Sequence, residues 1–115
     1  MKAFLSIKFR GDNRNRQEVE KILAVLERLG FEVFCFVRDA ENWGVNYFEP
    51  AVMMKLTFAQ IDESDILIAN VTDWPIGVGV EAGYAFARGI PVVCICNEDK
   101  KLANTVAGIA KYVFK

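Results

Sequence analysis

Gly77, Gly79 and Glu81 stand at alternate positions in the run VTDWPIGVGVEAGYAFARG (71–89). Glycines placed where a strand gives way to a helix remove side chains and let a ligand approach the backbone closely. Free N–H groups at a helix start attract an anion and favour the ionised form of Glu81. An ionised carboxylate is the state a nucleophile needs. A tight turn, with the glutamate only favouring a helix dipole, satisfies the same spacing, so these residues alone leave both readings open. The chain contains no histidine. That excludes Ser-His-Asp triads, Cys-His pairs and histidine-based zinc sites. Acid–base chemistry falls to carboxylates, lysine, tyrosine or water.

A second unusual loop follows the first apolar run. It reads KFRGDNRNR, and Lys8, Arg10 and Arg14 within it are placed to meet a phosphate together with Ser6 and the N–H groups of the next helix. A solvated basic turn with Asp12 or Asn13 as the helix N-cap is the alternative. Trp43, Tyr47 and Phe48 lie in a period-free stretch; such aromatics either sandwich a planar ligand, cover the core or form a subunit contact. Tyr84 reads as a packed residue, and Asp65 as one that caps or sets register. Cys35, Cys94 and Cys96 all sit inside apolar runs and read as core residues in a reducing compartment. The spacing of Cys94 and Cys96 is taken to send the two thiols to opposite sheet faces, against joint metal binding.

Hydrophobic residues make up 53% of the 115-residue chain, enough for one domain with a sheet covered on both faces. Net charge is −1, from 14 basic and 15 acidic residues, so neither a nucleic-acid polymer nor an anionic membrane is expected as a partner. No apolar run reaches the length of a membrane span, and the N-terminal run lacks a cleavage site. A cytoplasmic protein is expected. Apolar runs at Ala3–Ile7, Glu32–Val37, Ile66–Val71 and Pro91–Cys96 predict strands, with a short edge strand at Tyr112–Phe114. Helical periodicity or start signals predict helices over Asn13–Leu29, Pro50–Glu63, Val78–Arg88 and Lys101–Ala110. Strands without alternation, each followed by a helix, predict a doubly wound α/β domain with a five-stranded parallel sheet. With the flavodoxin-like strand order 2-1-3-4-5, the switch point lies between strands one and three, facing the two unusual loops.

Over about thirty residues, SDILIANVTDWPIGVGVEAGYAFARGIPVV resembles the nucleoside 2-deoxyribosyltransferase superfamily, which includes the 2′-deoxynucleoside 5′-monophosphate N-glycosidases. The matching positions are Asp65, Gly77, Gly79, Glu81, Gly83, Ala85 and the Gly89–Val92 link. More weakly, LSIKFRGDNRNR resembles the phosphate-side loop of the monophosphate glycosidases. The resemblance implies a single domain that acts on a nucleoside or nucleotide, needs no metal or cofactor, and works as a homodimer or larger homo-oligomer. It implies that Glu81 attacks C1′ of the sugar, that the base leaves, and that water or a second base resolves the glycosyl-enzyme. Ser6, Ile7, Lys8, Arg10, Gly77, Gly79, Thr57 and Asp73 would line the substrate. Thr57 stands where the family keeps a second aspartate, and Pro75 where it keeps a polar residue. Asp62, Asp73 and Lys55 are the candidates to replace that aspartate. A nucleotide-binding or regulatory module with little or no activity is the alternative reading on the same fold.

Overall fold

The computed structural model describes residues 1–10, 15–72, 75–97 and 102–114. β1 (Lys2–Ser6), α1 (Arg16–Arg28), β2 (Glu32–Phe34), α2 (Phe36–Asp39) and α3 (Pro50–Asp62) are followed by β3 (Ile66–Asn70), α4 (Ile76–Ala87), β4 (Val92–Ile95), α5 (Asn104–Ala107) and β5 (Tyr112–Phe114). The five strands form one parallel sheet in the order β2-β1-β3-β4-β5, as expected.

The absence of alternation in β1 and β3 has a direct cause. Ala3 to Ser6 and Leu67 to Asn70 are all buried, because helices cover both faces of the sheet. Ala3, Leu5 and Ile68 pack on one side with Val19, Leu23 and Leu26 of α1. Phe4, Leu67 and Ala69 point the other way, against Ile61 of α3 and Val78, Ala82 and Ala85 of α4. Val92 and Cys94 belong to this second cluster, and Cys96 is buried beyond them. Residues two apart on a strand share a face. The expectation of opposite faces for Cys94 and Cys96 is therefore wrong, although both thiols are buried. Burial pushes the Cys35 thiol up to about 11 and raises Cys94, which keeps both as inert thiols.

Element ends differ from the sequence expectation where local polar bonds intervene. β2 stops at Phe34 because Asp39 closes a helical turn on it. The Asp39 carboxylate accepts from the Cys35 N–H at 2.9 Å, and the Asp39 N–H donates to the Cys35 carbonyl at 2.8 Å. Arg38 reinforces the turn by donating to the Val33 carbonyl and to Asp39. α1 begins at Arg16 with Asn15 as its N-cap, so neither Asp12 nor Asn13, which lie outside the described residues, holds that position. The last helix is one turn, Asn104–Ala107, shorter than the Lys101–Ala110 expected.

At the amino ends of β1 and β3 the register is set by a two-way clamp. The Asp65 N–H donates to the Lys2 carbonyl at 2.8 Å, and the Lys2 N–H donates to the Asp65 carboxylate at 2.8 Å. Lys2 Nζ also donates to Gln60 on α3 and pairs with Glu63, its C-cap. This makes Asp65 structural, and it aligns Ser6 with Ala69 at the opposite end of the sheet. Asp65→Ala is expected to lower the unfolding free energy by about 1 kcal/mol. Urea denaturation checks this, with the midpoint falling and the slope unchanged.

Candidate active site

Ser6 ends β1, an interior strand between β2 and β3, and is 1% exposed. Its hydroxyl donates to Glu81 Oε1 at 2.5 Å. The bond ties the carboxyl end of β1 to α4, two elements far apart in sequence. From sequence Ser6 belongs with the phosphate contacts; in the structure its hydroxyl is engaged by Glu81.

α4 begins at Ile76, two residues earlier than expected, with Pro75 as its N-cap. Gly77 and Gly79 thus lie in its first turn, and the Gly79 N–H already donates to the Pro75 carbonyl. Glu81 falls in the second turn, beyond the free N–H groups of the helix start. The expectation that those groups keep it ionised is overturned. Burial instead raises the Glu81 carboxyl above the ordinary glutamate range, and the Ser6 hydrogen bond opposes that rise. A half-buried carboxylate beyond the first turn is a poor helix-dipole device, and one shifted by burial beside a cleft is a candidate reactive group.

Two clefts meet at Glu81. One, of about 390 Å³, is walled by Ile7 and Lys8 on the β1 side and by Pro75, Ile76, Gly77 and Val78 on α4. The other, of about 400 Å³, is walled by Phe9, Phe36, Glu41, Met53 and Thr57, and Ile7 borders it too. Each lies within the range of about 300–1,000 Å³ typical of small-molecule sites. A Cβ added at Gly77 or Gly79 would meet nothing within 4 Å, so the glycines open space in front of the helix and do not serve close internal packing. Thr57, only 2% exposed, faces the same cleft as Glu81.

Next to the first cleft lies a small polar hollow lined by Lys8, Arg10, Asn15, Glu18, Asn70 and Thr72. Asn15 shapes it. Its Oδ1 accepts from the Arg10 N–H at 2.9 Å, and its Nδ2 donates to the Lys8 carbonyl at 2.7 Å. Asn70, buried at the end of β3, accepts from the Thr72 N–H at 3.1 Å and turns the chain out of the sheet. Neither asparagine stood out in the sequence, although a polar residue closing the apolar run ILIA was a usable signal.

The structure thus brings Ile7, Lys8, Gly77, Thr57 and Glu81 around the two clefts, with Ser6 buried behind Glu81 and Arg10 in the adjoining hollow. Gly79 lies behind them in the first turn of α4, and Asp73 and Arg14 lie outside the described residues. Of the stand-ins for the missing aspartate, Asp62 accepts from the Tyr84 hydroxyl and from Arg88 at the far end of α4, and Lys55 is exposed and lines neither cleft. Trp43 is packed, with its ring 5.6 Å from Phe9 and the Arg16 guanidinium 4.4 Å above it. Phe48 packs on Phe36, while Tyr47 is exposed. Tyr84 stacks on Phe58 at 4.0 Å, in keeping with a packed role.

Residues 5–112 match the family model described as nucleoside 2-deoxyribosyltransferase. Among similar proteins, one from Thermofilum pendens is 30% identical over 87% of this chain and 71% of its own length. Another, from Methanococcoides burtonii, is 32% identical over 96% of both chains. Both bear the name 2′-deoxynucleoside 5′-phosphate N-hydrolase 1. In fold, the chain is similar to a 2-deoxyribosyltransferase from Bacillus psychrosaccharolyticus, with a TM-score of 0.84 at 21% identity, covering all of this chain and 86% of that one. A CMP N-glycosidase from Clostridium botulinum gives a TM-score of 0.73 at 22% identity, covering 99% and 88%. The fold, the G-x-G-x-E stretch at the switch point and the family match over nearly the whole chain agree: this chain belongs to the nucleoside 2-deoxyribosyltransferase family.

Proposed function

We propose that the protein cleaves the N-glycosidic bond of a nucleoside or nucleoside 5′-monophosphate, with Glu81 as nucleophile. The observation that carries this reading is Glu81 itself, held by Ser6 and bordering both clefts. In the first step a Glu81 oxygen bonds to C1′ as the bond to the base breaks. Water or a second base then displaces the glutamate, with net retention at C1′. The transition state resembles an oxocarbenium ion, and a carboxylate beside it stabilises the developing positive charge. Lys8 and Arg10 support binding of a 5′-phosphate, and Gly77 supports close approach of the sugar. Thr57 in place of a carboxylate favours the second reading, a binding module that holds nucleotide without turning it over. A cytoplasmic homo-oligomer is part of the proposal; exposed Val52 and Leu56 on α3, with Ile76 and Val80 on α4, support self-association.

Incubation with nucleosides, deoxynucleosides and their 5′-monophosphates, followed by chromatography of free base, tests the activity. Base release is expected, and Glu81→Ala should reduce it by more than about 10⁴-fold. Release that persists in that variant excludes the nucleophile assignment, and binding without release by the native chain selects the module. Ser6→Ala removes the one group that lowers the Glu81 pKa. The acid limb of kcat/KM, which follows ionisation of Glu81, should therefore move to higher pH; a limb that stays in place would show that the hydroxyl does not tune the nucleophile. Gly77→Ala adds a methyl group into open cleft and removes a helical glycine. Thermal melting should show stability unchanged or raised by up to about 1 kcal/mol, while KM rises at least tenfold (about 1.4 kcal/mol).

A further inference from the structure

With Thr57 at the position of the family's second carboxylate, the site as described lacks a group to handle the proton of the departing base. The cleft offers one other titratable side chain. Glu41 lines it together with Glu81 and Thr57. It follows α2, beyond the carboxyl end of β2, whereas Glu81 follows β3, and β1 separates the two strands. Both glutamates thus border one cleft of about 400 Å³ at the carboxyl ends of the strands.

Glu41 is also held unusually. Its N–H donates to the Phe36 carbonyl, and its own carbonyl accepts from the Asn46 N–H at 2.9 Å. The next two residues, Asn42 and Trp43, adopt left-handed φ values of 47° and 59°, and Gly44 follows at 92°. Such a run in non-glycine residues is costly and persists only where surrounding contacts enforce it. Here the Trp43 N–H donates to the Val37 carbonyl at 2.7 Å, and its ring is fixed by Phe9 and Arg16. The effect is to deliver Glu41 into the cleft. Asp39 is engaged by Arg38 and the Cys35 N–H, and Asp62 by Tyr84 and Arg88. Burial alone shifts the Glu41 carboxyl, and it shifts it upward, towards the protonated state a proton donor requires.

Resting on the glycosidase reading of the same cleft, we propose that Glu41 is a second catalytic carboxyl, the acid–base partner of Glu81. In the first step a Glu81 oxygen forms the bond to C1′ and the C1′–N bond breaks. Its electron pair stays on the base, which takes the proton of the Glu41 carboxyl. In the second step water attacks C1′ and gives its proton to the Glu41 carboxylate, while the C1′–O bond to Glu81 breaks with its electron pair returning to Glu81. The products are free base and sugar, with both glutamates restored. Thr57 then borders the cleft without any proton to carry.

The test compares a natural nucleotide with 4-nitrophenyl 2-deoxyriboside 5′-phosphate, whose nitrophenolate departs without gaining a proton. Glu41→Gln should lose at least about 100-fold in kcat/KM on the nucleotide and less than about tenfold on the nitrophenyl substrate. Glu41→Asp, which keeps an acid, should retain more activity on the nucleotide than Glu41→Gln. Equal losses on both substrates, or no loss on the nucleotide, would overturn the role of Glu41 while leaving that of Glu81 standing. Native protein that releases neither base nor nitrophenolate would overturn the glycosidase reading and this proposal with it. Circular dichroism of both variants identifies any loss due to misfolding.

Discussion

The hydrogen bond from Ser6 to Glu81 is the interaction on which the site depends. It joins the last residue of β1 to the second turn of the helix that leaves the neighbouring β3, and so fixes the carboxylate over the switch point of the sheet. Two opposing effects act on that carboxylate. Burial raises its pKa and makes ionisation costly, while the hydroxyl favours the ionised form. A carboxylate left wholly to solvent would be a weak nucleophile, and one buried with no donor would stay protonated. The hydroxyl opposes the rise that burial causes.

The rest of the fold maintains this contact. The Asp65–Lys2 clamp fixes the register of β1 against β3 at one end of the sheet, and that register brings Ser6 level with Ala69 at the other. Asn70 then turns the chain outward, and α4 packs Val78, Ala82 and Ala85 onto the sheet. With those residues inward at helical spacing, Glu81 faces the end of β1. Asn15 holds the backbone of Lys8 and Arg10 beside it, and the hollow they line shares Ile7 and Lys8 with the cleft at Glu81.

Much of this was legible in the sequence. Unbroken apolar runs separated by helical periods dictate the doubly wound sheet, and the switch-point rule draws the loops after β1 and β3 together. What escaped was set by single polar bonds. Asp39 folds a helical turn back onto Cys35 and ends β2 early, although FCFV reads as strand. The start of α4 at Ile76 moves Glu81 from the helix end into its second turn, and burial, which no periodicity shows, raises its pKa. Ser6 read as a phosphate contact because no periodicity shows that its hydroxyl meets a side chain 75 residues away. Glu41 gave no signal at all, since a period-free loop announces nothing about where its left-handed residues aim their neighbour.

The central claim is that Glu81 forms a covalent bond to the sugar. Protein quenched with acid during turnover of its nucleotide, digested, and mapped by peptide mass spectrometry tests this most directly. The account predicts one glycosyl unit added to the peptide containing Glu81, and no adduct when Glu81 is replaced by glutamine. Base release that proceeds with no adduct on any peptide, or with the adduct on another residue, would contradict it.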